Sequence, residues 1–98
     1  MALTHSLLSP GEIALRIGAN ARAARLAQNL SRKTLAQLSG VSESTIKRFE
    51  SNGQVTLDAL VLVANGLGLT QQLVELFTQD APLFITDIKQ GMRSRGRK

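Results

Sequence analysis

The stretch RKTLAQLSGVSESTIKRFES, Arg32 to Ser51, sets Glu43, Ser44, Lys47 and Arg48 on the outer side of one short helix. A carboxylate, a hydroxyl, an ammonium and a guanidinium side by side accept and donate hydrogen bonds and carry charge. That chemistry is recognition, not bond breaking. A nucleophilic serine or threonine needs a base beside it, and the chain's single histidine, His5, lies outside this segment. With no cysteine and one histidine, neither a disulfide nor a zinc ligand set can be assembled. Gly66-Leu67-Gly68 follows a helical pattern instead of a strand and lacks the rest of a nucleotide-binding fingerprint. The expectation is a protein without enzymatic activity, cofactor or metal.

These polar residues need two helices to hold them. Two helices that meet at a wide angle require a small residue at the contact, a glycine in the turn and apolar residues facing the rest of the core. Ala36 is the small residue, Gly40 the turn, and Leu35, Val41, Ile46 and Phe49 the inward set. Ser31 caps the first helix, Arg32 to Ser39, and Ser42 caps the second, Glu43 to about Ser51, ahead of the stop signal Asn52-Gly53. Upstream, Ser9-Pro10-Gly11-Glu12 reads as a capping box with proline at the first helical position. The helix it opens runs to about Asn29, with Ile13, Ile17, Ala21 and Ala24 recurring on one side and Leu26 and Leu30 following. Gly18 costs about 1 kcal/mol relative to alanine inside that helix and reads as a kink or break.

Downstream, Thr56 caps a fourth helix in which Leu57, Leu60, Val61, Val63, Ala64 and Leu67 spread far enough around the axis to predict burial on more than one face, and Gly66 and Gly68 end it. Thr70 is expected to cap a fifth helix carrying Leu73, Val74, Leu76 and Phe77. Leu83 to Ile88 reads either as a strand or, capped by Thr86, as the start of a short helix through Met92. The final GMRSRGRK has no apolar face and reads as disordered in isolation.

At 98 residues, 43% of them hydrophobic but only three aromatic, the chain has room for one domain with a core of Leu, Val, Ile and Ala. The start MALTHSLLSPGE lacks the basic-then-apolar layout of a signal peptide, and the apolar run Leu57 to Leu69 contains Asp58 and Asn65 and is too short to span a bilayer. The expected setting is cytoplasmic, with no membrane. Net charge is +5, unevenly placed: Ser9 to Val55 holds seven bases against three acids, Thr56 to Ile88 holds four acids and no base, and the last ten residues hold five bases and no acid. Two basic regions flanking an acidic middle suit a polyanion partner, since each phosphate neutralised releases counterions. Ordinary solvated surface charge is the other reading.

The segment TLAQLSGVSESTIKRFESNG resembles the helix-turn-helix of phage repressors, Cro proteins and XRE-type bacterial regulators, matching their Leu-Ala, Gly-Val-Ser, Ile and Glu-x-Asn/Gly positions. The likeness runs from Ala19 to about Phe77. It implies an all-α, lambda-repressor-like five-helix domain with a short basic C-terminal tail, usually dimeric on a palindromic or pseudo-palindromic DNA operator. Residues 1–18 are then an N-terminal helical extension, 19–78 the DNA-binding domain, and 79–98 a partly disordered C-terminal extension with the basic tail. Thr34 departs from the family, which has an acid there, and that weakens one cap.

Carried over residue by residue, the resemblance places Arg32 and Lys33 on the phosphate backbone, with Ser42 and Thr45 bonding phosphates as well. Glu43, Ser44 and Lys47 point at bases, where a carboxylate accepts from cytosine N4 and lysine donates to guanine O6 or N7. Arg48 and the Asn52-Gly53 backbone face the next phosphates. Glu43 can equally serve the helix dipole alone, and Glu50 reads as a structural carboxylate paired with Arg22 or Arg25. Within the family, the small size, acidic fourth and fifth helices and arginine-rich tail resemble HipB-like antitoxins, which repress their own operon, act as homodimers and bind a HipA-like kinase toxin. A phage-type or stand-alone repressor, and a helical protein-interaction module that does not bind DNA, are the alternatives.

Overall fold

Residues 8–79 are described by the computed structural model, and their order is five helices joined by short connections: α1 (Pro10–Ala27), α2 (Arg32–Ser39), α3 (Glu43–Asn52), α4 (Leu57–Gly66) and α5 (Thr70–Val74). There is no strand among the described residues. This is the all-α, lambda-repressor-like arrangement. None of the described helices is long and apolar enough to cross a membrane. His5, the segment Leu83 to Ile88 and the basic tail lie outside the described residues.

Local chemistry sets most boundaries. The capping box at α1 is closed in both directions: Ser9 Oγ accepts from the Glu12 N–H and Glu12 Oε1 accepts from the Ser9 N–H, at 3.1 and 2.8 Å. Ser31, Ser42 and Thr56 each accept from the backbone N–H three residues on, satisfying one otherwise orphaned donor per helix. With Thr34 where the family has an acid, the reciprocal half of a capping box is not made at α2, and the Thr34 hydroxyl accepts from Ser31 Oγ at 3.0 Å instead. Gly40 and Gly53 end α2 and α3 with φ +79°, a left-handed conformation that glycine enters without a Cβ penalty.

The core is formed by Leu35, Val41, Ile46, Phe49, Val63 and Leu67, with Ala21, Ala24, Ala36 and Leu60 packed against it. Leu35, Ile46, Phe49 and Val63 are at most 2% exposed, and full burial of such side chains stabilises by about 1.5–3 kcal/mol each. The inward set expected for the two central helices is therefore the one observed. α1 packs on α3, and α2 packs on both α3 and α4.

Five expectations differ from the structure. α1 runs unbroken through Gly18, which is buried where the helix meets α3: a Cβ there would lie 2.1 Å from the Phe49 carbonyl oxygen. Glycine at this position permits close approach of two backbones instead of a kink. α1 also stops at Ala27, short of Asn29, which takes φ +59° in the turn that follows. α4 buries one face only; Val63 and Ala64 are inside, whereas Leu57, Val61 and Leu62 are exposed. Thr70 is the first residue of α5 and not its cap, its hydroxyl donating instead to Asn65 Oδ1, and Phe77 lies beyond the helix at φ +67° and 94% exposed.

Gly18→Ala should gain about 1 kcal/mol of helix propensity and lose more to the collision with the Phe49 backbone, since overpacking of this kind costs about 1–3 kcal/mol or more. Thermal melts followed by circular dichroism should show a lowered Tm. Gly11→Ala, in the same helix with its nearest neighbour at 3.9 Å, should melt at or above the wild-type temperature. Equal behaviour of the two variants would contradict the close α1–α3 contact.

Candidate nucleic-acid interface

α3 is amphipathic by its arithmetic. At about 100° per residue, Glu43, Lys47, Ser51, Ser44 and Arg48 share one arc, and Ile46, Phe49 and Glu50 share the opposite one. The first arc is exposed and the second buried. Burial of Ile46 and Phe49 thus fixes the rotation of the helix and leaves Glu43, Ser44, Lys47 and Arg48 facing solvent.

The start of α2 meets that arc. Ser31, Arg32, Lys33, Glu43, Ser44 and Lys47 line one open depression, so the N-terminus of α2 and the first turns of α3 share a surface. A second depression, around Lys33, Gln37, Gly40, Ser42 and Ser44, continues it past the turn. A third, on the far side of α3, is lined by Ser42, Thr45, Arg48, Gln54 and Thr56. Helix N-termini carry a partial positive charge from unpaired N–H groups. Added to Arg32, Lys33, Lys47 and Arg48 against the single acid Glu43, this gives a cationic face suited to phosphate.

The expected residues occupy unequal positions. Lys33, Ser42, Glu43, Ser44, Lys47, Arg48 and Asn52 are exposed, and Arg32 and Thr45 are half-buried. Ser42 is occupied by its capping role and by donation to Thr45 Oγ1 at 2.9 Å; Thr45 keeps its own hydroxyl proton to donate. Asn52 Oδ1 accepts from the Gln54 N–H at 3.0 Å. The Gly53 N–H is bonded to the Phe49 carbonyl and its Cα faces Ala14 of α1, so this N–H is not available to a phosphate. Ser51, which the sequence reading passes over, shares the exposed arc but donates its hydroxyl to the Lys47 carbonyl. Gln37 was also missed, although its four-residue spacing from Lys33 puts both on one side of α2.

Beneath the surface lies a charged cluster. Glu50, 6% exposed, accepts from Arg25 Nε at 2.8 Å and Nη2 at 3.0 Å, and from Arg32 Nε at 3.0 Å. Arg25 is 5% exposed, and its Nη1 donates to the Leu30 carbonyl at 2.8 Å. The expected pairing of Glu50 with an α1 arginine is thus met by Arg25, and Arg32 is a second partner that the sequence did not suggest. Burial by itself pushes the Glu50 carboxyl up, but the hydrogen bonds from Arg25 and Arg32 outweigh it and hold the group below its usual range. The same hydrogen bond raises the Arg25 guanidinium.

A family model described as Helix-turn-helix matches residues 22–71, a span that covers the last third of α1, all of α2, α3 and α4, and the start of α5. No curated protein matches the chain.

A carboxyl whose folded-state pKa is depressed contributes stability that is present above its unfolded value, 4.5, and lost as pH falls through the folded one. Denaturation measured against pH should therefore show stability falling on acidification below about 4.5, with Glu50→Gln less stable at neutral pH and its acid limb flatter. Glu50→Ala, which leaves Arg25 buried and unpaired, should cost about 3–5 kcal/mol. An acid limb unchanged in Glu50→Gln would contradict the cluster.

Proposed function

Because the chain belongs to the XRE-type helix-turn-helix family and is a DNA-binding transcription regulator, we propose that α3 is its recognition helix, with Lys47 as the principal base reader beside Glu43 and Ser44. One observation carries this reading. The arc bearing those three side chains is exposed, and it is flanked by the cationic start of α2. Arg32 and Lys33 then bond backbone phosphates on one side, while the Thr45 hydroxyl, held by Ser42, and Arg48 and Asn52 face those on the other.

The regulator acts in the cytoplasm as a homodimer, represses its own operon, and serves as a HipB-like antitoxin against a HipA-like kinase toxin. Support for a protein partner comes from an apolar groove of about 260 Å³ lined by Ile17, Leu60, Leu73 and Leu76. Ile13, Val74 and Phe77 are also exposed. A two-fold dimer sets half-sites roughly 34 Å apart along the DNA axis.

Selection of duplexes from a random pool, followed by fluorescence anisotropy over a range of salt, tests the DNA reading. Binding should weaken steeply with salt. Lys47→Ala should lose about 10- to 100-fold at the selected site and relax base choice there, whereas Lys33→Ala should weaken all duplexes alike and lower the salt slope by about one. Undetectable or salt-insensitive binding would favour a helical interaction module. The antitoxin role predicts that a neighbouring kinase-like reading frame is toxic when expressed alone and tolerated with this chain; toxicity unaffected by the chain would remove that role and leave an autorepressor.

A further inference from the structure

Two arginines converge on Glu50, and they are used differently. Arg25 spends Nε, Nη1 and Nη2 on protein acceptors. Arg32 spends only Nε, and among the described residues its Nη1 and Nη2 donate to nothing. Side-chain exposure divides them in the same way, 6% for Arg25 and 33% for Arg32. One carboxylate also faces two guanidinium charges, so one positive charge is left over. It falls on the arginine that reaches the surface.

From this geometry we infer that Glu50 is a positioning residue for DNA binding: by holding Arg32 through Nε it presents the Nη1–Nη2 edge of that guanidinium to a backbone phosphate. The inference rests on the DNA-binding reading above and adds how the contact is prepared. Glu50 Oε1 accepts from Arg25 Nη2 as well as from Arg32 Nε, so the carboxylate is anchored from α1 and does not follow Arg32 if that side chain swings. Arg32 also lines the depression that holds Lys33, Ser44 and Lys47. A guanidinium is a rigid planar fork that can bond a carboxylate along one edge and a phosphate along another. A flexible arginine would have to be ordered at the moment of binding, a cost that the Glu50 contact removes in advance. Lysine cannot stand in, because its one nitrogen is a point charge that Glu50 would draw inward.

The duplex selected by the wild-type chain serves as probe, with anisotropy read over a range of salt and folding checked by thermal melts. Arg32→Lys and Arg32→Ala should both lose about 10-fold in affinity and about one from the salt slope. Glu50→Gln, which sets an amide NH2 against an arginine donor, should lose a similar factor in the wild-type background and nothing further when combined with Arg32→Ala. A merely structural Glu50 would weaken binding in both backgrounds, and that result overturns the inference, as does Arg32→Lys at wild-type affinity and slope. Where Glu50→Gln fails to fold at the assay temperature, the comparison of lysine with alanine at position 32 decides alone. Loss on Lys47→Ala with Arg32→Lys intact removes only this inference, whereas a wild-type chain that binds no duplex removes the DNA reading and the inference together.

Discussion

A carboxylate with 1% of its side chain exposed sits beneath the exposed polar arc of α3, and the arrangement of the first three helices follows from what that group demands. An ionised carboxylate taken out of water is tolerated only when its oxygens are bonded to charged donors. Glu50 meets the condition with one arginine from α1 and one from α2, while Arg25 in turn ties down the Leu30 carbonyl in the connection between them. Three helices and a loop are thereby referred to one point on α3. Among the described residues no buried side-chain nitrogen or oxygen is left without a partner. Apolar residues of similar volume could fill the same space at equal or better stability, but they would not fix the angular position of Arg32. Direction is what the charged cluster contributes beyond packing.

Close backbone contact supplies the second constraint. Gly18 lets α1 approach Phe49 and Glu50, and Gly53 lets the end of α3 lie against Ala14 of α1. Both contacts sit on the C-terminal half of α3, whereas the exposed polar set is concentrated in its first two turns. The helix is therefore clamped at one end and open at the other. The half of α1 that provides Ala14 and Gly18 precedes the family match, which starts at residue 22.

Much of this was legible from local chemistry. Ser9-Pro10-Gly11-Glu12, Ser31, Gly40, Ser42 and Asn52-Gly53 each act on neighbours a few residues away, and a cap or a left-handed turn is decided at that range. The exposed arc of α3 was legible too, because Ile46 and Phe49 leave its rotation no freedom. What escaped depends on residues far apart in the chain. Gly18 looks the same whether it breaks a helix or admits another backbone, and only the approach of Phe49 distinguishes the two. The apolar run of α4 says nothing about how many of its faces find partners, so Leu57 and Val61 read as core and stand exposed. Glu50 was identifiable as structural, yet its link to Arg32 across eighteen positions is a product of the fold.

Arg25 and Arg32 show most plainly why residue type and position do not settle a role. Both are arginines near the ends of helices, both bond the same carboxylate, and a motif comparison marks only the second as a DNA contact. The difference is in the unused donors. With all three guanidinium nitrogens bonded to protein acceptors and its side chain only 6% exposed, Arg25 is committed to the interior; with only Nε engaged, Arg32 retains a fork of four N–H bonds near the surface. A phosphate bound there would complete the bonding of a charge that the protein has already oriented and only half satisfied. Lys33 and Lys47 have no such side-chain tether among the described residues and, on the proposed reading, would be free to follow the backbone and the bases. On the reading proposed above, the interface would combine one aimed cation with several adaptable ones, the aimed one supplying the register in which the others act.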